Sequence, residues 1–120
     1  MKKHVLVVDD SPTDRQMVTT LLQKEGYSVT TAIDGEDALQ KIAAEQPPLV
    51  VLDIVLPKMN GYQVLRQLKS APETRNIKVI LVSSKNQEAD KFWGLKQGAD
   101  DYIAKPIPDT ALLNAVARHF

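Results

Sequence analysis

Three apolar runs rich in β-branched residues, at 5–8, 49–52 and 77–82, are separated by stretches whose apolar residues recur at helical spacing. Apolar runs without alternation suit strands buried on both faces. Shorter candidate strands lie at 27–32 and 101–104. Between the runs, Met17, Val18, Leu21 and Leu22, then Ala38, Leu39, Ile42 and Ala43, then Val64, Leu65 and Leu68, and finally Leu112, Leu113 and Val116 each mark one apolar helix face. Residues 87–97 read as a further helix, although Phe92, Trp93 and Leu95 cannot all face one way; Trp93 is expected to pack in the core. Ser11 before Pro12 and Asp14 forms a capped helix start, Gly26, Gly61 and Gly98 fall at element boundaries, and Gln46-Pro47-Pro48 stops a helix. Five strands alternating with five helices require crossover connections, so the expected class is α/β, a doubly wound parallel sheet with helices on both faces.

At 120 residues, 43% hydrophobic and 25% charged, the chain suits one domain, expected to span 1–120 with no output domain attached. Its 15 basic residues balance 15 acidic ones, so nothing in the bulk charge favours nucleic acid or an anionic membrane, and any electrostatic function must be local. The absence of cysteine removes disulfides, thiolate metal sites and thiol nucleophiles. The N-terminal apolar run is too short for a signal-peptide core or a membrane span. A cytoplasmic protein without membrane insertion is expected.

In an open α/β sheet, ligands bind outside the carboxyl ends of the strands. The polar residues of this sequence gather there: Asp9 and Asp10 after the first strand, Asp53 after the third, Ser83 after the fourth and Lys105 after the fifth. An isolated Asp-Asp pair is most often a solvated turn with a capping acid. A third carboxylate at the same edge changes that reading, because two carboxylates at about 4 Å repel by roughly 4 kcal/mol at an effective dielectric of 20. A hard divalent cation with oxygen ligands relieves the repulsion, and Mg2+ suits a site with a few carboxylates, several waters and room for a phosphoryl oxygen. Asp53, with no acidic neighbour in LDIVLPKMNG, can then present its carboxylate as a nucleophile toward phosphorus. Ser83 and Lys105 would meet the oxygens of the transferred group.

With these residues in place, the chain resembles the receiver domain of two-component response regulators, of the stand-alone kind seen in chemotaxis. The likeness rests on VVDD at Asp9 and Asp10, LDIVLPKMNG around Asp53, VSS at Ser83, and GADDYIAKP ending in Lys105 and Pro106. It implies a flavodoxin-like sheet in the order 2-1-3-4-5 and phosphate accepted on Asp53 from a histidine kinase or phosphotransfer protein. It further implies Mg2+ held by Asp9, Asp10, Asp53 and the backbone carbonyl of Val55, with Ser83 and Lys105 on the phosphoryl group. Tyr102 matches the aromatic switch position, whose ring turns inward as Ser83 moves, and the bond from Lys105 to Pro106 is expected to be cis. The family more often has threonine at the Ser83 position; serine keeps the hydroxyl. The stretch KFWGLKQGADDYIAKP also looks like regulators of type IV pilus twitching motility.

Other aspartate-based chemistries fit less well. A haloacid-dehalogenase-type phosphatase needs a second aspartate two residues after the nucleophile, where this chain has Val55, so turnover of outside substrates is not expected. A flavodoxin-like nucleotide binder needs a donor-rich first loop, and DDSPTD would repel a phosphate. A degenerate receiver would lack one of the five site positions, all of which are filled. The output is therefore expected to be a surface recognised by a downstream protein: Lys91 and Leu95 on the fourth helix, next to Tyr102, Ala104 and Arg118. Val55, which cannot orient a water, and Lys85, long enough to cover the phosphoryl group, are expected to prolong the phosphorylated state.

Overall fold

The computed structural model describes residues 3–84 and 88–120. Its elements alternate throughout: β1 (His4–Val8), α1 (Pro12–Lys24), β2 (Ser28–Ala32), α2 (Gly35–Glu45), β3 (Leu49–Asp53), α3 (Gly61–Ser70), β4 (Lys78–Ser83), α4 (Glu88–Lys96), β5 (Asp101–Ala104) and α5 (Asp109–Arg118). All neighbouring strands pair parallel, in the order β2-β1-β3-β4-β5. This is the expected doubly wound arrangement.

Alternate side chains of each strand feed opposite layers, as strand geometry requires. Leu6, Val8, Val50, Leu52, Val79 and Leu81 pack with Ala38 and Ile42 of α2 and Val64, Leu65 and Leu68 of α3. Val5, Val7, Leu49, Val51, Ile80 and Val82 pack with Val18 and Leu22 of α1 and Leu112, Ala115 and Val116 of α5. Each fully buried valine or leucine contributes about 1.5–3 kcal/mol, and the central strands therefore hold the carboxyl edge rigidly.

Local signals explain the helix starts. The Ser11 side chain accepts from Asp14 N with Pro12 in the first turn, and Asn60 with Gln63 forms a complete capping box on α3. Gln46 closes α2 in a left-handed conformation ahead of the two prolines.

Two expectations about helix faces are corrected. Met17 is 46% exposed, because α1 seats itself through Val18 and Leu22 and leaves Met17 on the outer flank. Trp93 is 50% exposed and lies outside the core. The buried residue of α4 is Gly94, so this helix approaches the sheet through backbone and turns Phe92, Trp93 and Leu95 outward. A β-carbon on Gly94 would stand 2.9 Å from Leu81 Cδ1 and 3.0 Å from Tyr102 Cδ2, which shows how closely the helix lies over the tyrosine ring.

Candidate functional site

Register assembles the site. Val8 pairs with Leu52, so Asp9 and Asp53 follow at adjacent strand ends; Asp53 pairs with Val82, and Ser83 pairs with Ala104 just before Lys105. Backbone bonds tie these ends together: Ile54 N donates to Val82 O at 3.1 Å and Lys105 N donates to Ser83 O at 2.7 Å. Gly61, at the start of α3, donates to Ile54 O at 2.8 Å and brings that helix directly onto the end of β3.

Asp9 and Asp53 are 2% and 4% exposed, whereas Asp10 faces solvent. One oxygen from each of Asp9, Asp10 and Asp53 lies within 4.8 Å of the others, a group able to hold a metal ion. The donor set is all oxygen, two of the three carboxylates are buried, and Asp10 keeps the group open to water. That combination fits a hard divalent cation that retains part of its hydration. One oxygen of each buried acid is held in place, Asp9 Oδ1 by Ser11 N at 2.9 Å and Asp53 Oδ1 by Val55 N at 3.1 Å.

The Lys105 ammonium supplies positive charge to the cluster. Its Nζ donates to Asp9 Oδ2 at 2.9 Å, Asp14 Oδ2 at 2.9 Å and Asp53 Oδ2 at 3.0 Å. Burial works to lower the lysine's pKa, but hydrogen bonds to Asp14, Asp9 and Asp53 outweigh it and raise the value above the ordinary one. Burial pushes the Asp53 carboxyl upward; the Lys105 hydrogen bond offsets only part of this, and the charge on Asp9 adds to it. Asp53 is therefore a desolvated, relatively basic carboxylate beside a fixed cation.

Ser83 is fully buried and shares a side-chain hydrogen bond with Tyr102. Tyr102 is 7% exposed, its ring turned into the layer of α2 and α3, and burial raises its phenol pKa. The peptide bond between Lys105 and Pro106 is cis. On the outer side, Tyr102, Ala104 and Arg118 line one groove of about 400 Å³, with Arg118 Nη2 donating to Asp101 Oδ2 at 2.6 Å. Lys91 and Leu95 are exposed on α4. Lys85 lies outside the described residues.

Asp14 is the site residue that sequence reasoning passed over, having taken it only as part of a helix start. The available signal was its place in the first turn after β1, which puts the opening of α1 at the same sheet edge as the Lys105 loop. Arg15, next to it, donates from Nη1 to Asp9 O at 2.9 Å.

A family model described as the response regulator receiver domain matches residues 5–117. Over 112 residues the chain is 45% identical to Protein PilH of Pseudomonas aeruginosa, covering 93% of this chain and 93% of that protein. Protein PilG of the same organism is 43% identical over 115 residues, covering 96% of this chain and 85% of the relative. The solved structure of the chemotaxis response regulator CheY4 of Vibrio cholerae matches with a TM-score of 0.92 at 29% identity, over 100% of both chains.

Proposed function

The chain belongs to the response regulator receiver domain family of two-component systems, and from that premise we propose that Asp53 accepts a phosphoryl group from a phosphohistidine with Mg2+ as cofactor. One observation carries the proposal: a buried carboxylate of raised pKa stands 3.0 Å from a lysine ammonium and within 4.8 Å of two further acids. An oxygen of Asp53 attacks phosphorus, the phosphorus–nitrogen bond breaks, and its electron pair returns to the imidazole, which takes up a proton. Asp9, Asp10 and Asp53, with the Val55 carbonyl as the family resemblance implies, would hold the Mg2+, which when bound neutralises charge on the phosphoryl oxygens.

The protein's own groups do the remainder. Lys105 offers its ammonium to a phosphoryl oxygen. Ser83 carries one proton and two acceptor sites, so its hydroxyl can keep Tyr102 while binding the phosphoryl group. This links occupancy of the site to the position of the Tyr102 ring, and through it to β5 and α4. Val55 offers no acid for turnover of outside substrates, so the chain acts on its own phosphoryl group alone.

Its donor in this reading is a histidine kinase or phosphotransfer protein, and its output is a protein that reads the face bearing Lys91, Leu95, Ala104 and Arg118. Among the described residues no helix is long and apolar enough to cross a membrane. We assign the chain to a cytoplasmic pathway controlling twitching motility or chemotaxis. That assignment is supported by the α4–β5 sequence and by the relatives named PilH, PilG and CheY4.

Incubation with acetyl phosphate and Mg2+ tests the chemistry. One phosphoryl group should be added by mass, Asp53→Asn should abolish the addition, and Asp10→Asn should raise the Mg2+ concentration it requires. Equal labelling of the Asp53→Asn protein would overturn the assignment.

A further inference from the structure

An ammonium has three N–H donors, and Lys105 spends all three on carboxylates: Asp9, Asp14 and Asp53. Two of these acceptors belong to the group that can hold a metal ion, whereas Asp14 lies outside it. A divalent cation and the Lys105 ammonium would therefore compete for the carboxylates of Asp9 and Asp53, and their like charges would repel. Asp14 is the partner that a cation does not claim.

We infer that Asp14 is a positioning residue for Lys105, drawing its ammonium off the cation's carboxylates and holding it beside Asp53 once the metal site fills. The inference rests on the reading of the acidic cluster as a divalent-cation site. Three features suit Asp14 to the task. Its backbone is anchored in the first turn of α1, where its N–H donates to Ser11 Oγ at 3.3 Å. Its side chain is 35% exposed, so its negative charge is held without the desolvation that Asp9 and Asp53 bear. A cavity of about 330 Å³ lined by Asp14, Met17, Ser84, Lys105, Pro106 and Ile107 gives the lysine head room on the α1 side.

Without the Asp14 charge, Lys105 is left with acceptors that the cation also needs, and cation binding must displace it with no alternative partner. The effect runs through the lysine. It should vanish when the ammonium is removed, which a purely structural role for Asp14 would not predict.

The test is a calorimetric titration of Mg2+ into the full chain, with each variant's fold checked by thermal melting in the absence of metal. Asp14→Asn should weaken Mg2+ binding by about fivefold, and Asp14→Glu should stay within about twofold of the original, in keeping with the coupling seen between groups sharing one ion-pair network. In a Lys105→Gln background, the added Asp14→Asn change should alter affinity by less than about twofold. If Asp14→Asn fails to fold, Asp14→Gln against Asp14→Glu makes the same comparison at equal reach. Unchanged Mg2+ affinity in Asp14→Asn, or an equal fall with and without the ammonium, overturns the inference and leaves the metal site standing. Failure of the unaltered chain to bind Mg2+ overturns the metal-site reading, and the inference with it.

Discussion

Gly61→Ala should damage phosphoryl acceptance more than its cost in stability explains. Gly61 opens α3 directly against the end of β3, and a β-carbon there would stand 2.4 Å from Asp53 O, 2.8 Å from Ile54 Cα and 3.1 Å from Asp53 C. All three are backbone atoms, so no side chain can rotate away. Carbon and carbonyl oxygen come no closer than about 3.3 Å in favourable contacts, so the helix and the Asp53 backbone must separate by about 0.9 Å. Overpacking of this kind costs about 1–3 kcal/mol. At roughly 4 °C per kcal/mol for a domain of this size, the melting temperature should fall by about 8 °C for a 2 kcal/mol loss. A shift near 1 Å at the reacting group costs up to about a hundredfold in rate, so acetyl phosphate labelling should slow by about ten- to a hundredfold. Gly26→Ala is the matched control: Gly26 has φ +92 with nothing within 4 Å of its added β-carbon. It should lose about 1–2 kcal/mol through the left-handed backbone and label at the original rate. Equal labelling rates for Gly61→Ala and Gly26→Ala at similar melting temperatures would show that the close approach at Gly61 does not position the Asp53 carboxylate.

Gly94→Ala should drive the Tyr102 ring from its buried position or lift α4, since the new carbon meets that ring at 3.0 Å; a shift of the Tyr102 aromatic resonances reports it, and unchanged resonances would count against the tight contact. Lys105→Gln should destabilise the metal-free protein by about 3–5 kcal/mol, because Asp9 and Asp53 lose their cation, and Mg2+ should restore much of the loss in a thermal melt. Asp53 titrates above its ordinary value in the fold, so its favourable contribution is complete below the ordinary carboxylate pKa and disappears as pH rises through the folded value. Asp53→Asn should therefore raise the melting temperature of the metal-free protein at neutral pH, with the gain shrinking as the pH falls through the raised folded value and gone below the ordinary carboxylate value of about 4; a loss at neutral pH would contradict this sign.

Much of the fold was legible because the buried strands carry unbroken apolar runs, and the site was legible because its polar residues follow those runs directly. Asp9, Asp53, Ser83 and Lys105 needed only the rule that parallel strands end at a common edge. What stayed hidden depends on helix rotation and on distances between layers. Met17 and Trp93 were expected inside on hydrophobicity, but burial depends on which residue the backbone turns toward the sheet, and for α4 that residue is Gly94. The Asp14 to Lys105 bond joins residues 91 positions apart, from the opening turn of α1 to the loop after β5, and local sequence cannot show whether two such side chains meet. Tyr102 was singled out by resemblance, while its burial against Gly94 follows from three-dimensional packing alone.

Borohydride reduction of the phosphorylated protein, followed by peptide mapping, shows directly whether Asp53 carries the phosphoryl group. An acyl phosphate is reduced at its carbonyl carbon, so Asp53 should be converted to homoserine, and only after phosphorylation with Mg2+. Conversion at Asp9 or Asp10 with Asp53 intact, or a phosphoryl group that resists reduction, would contradict it.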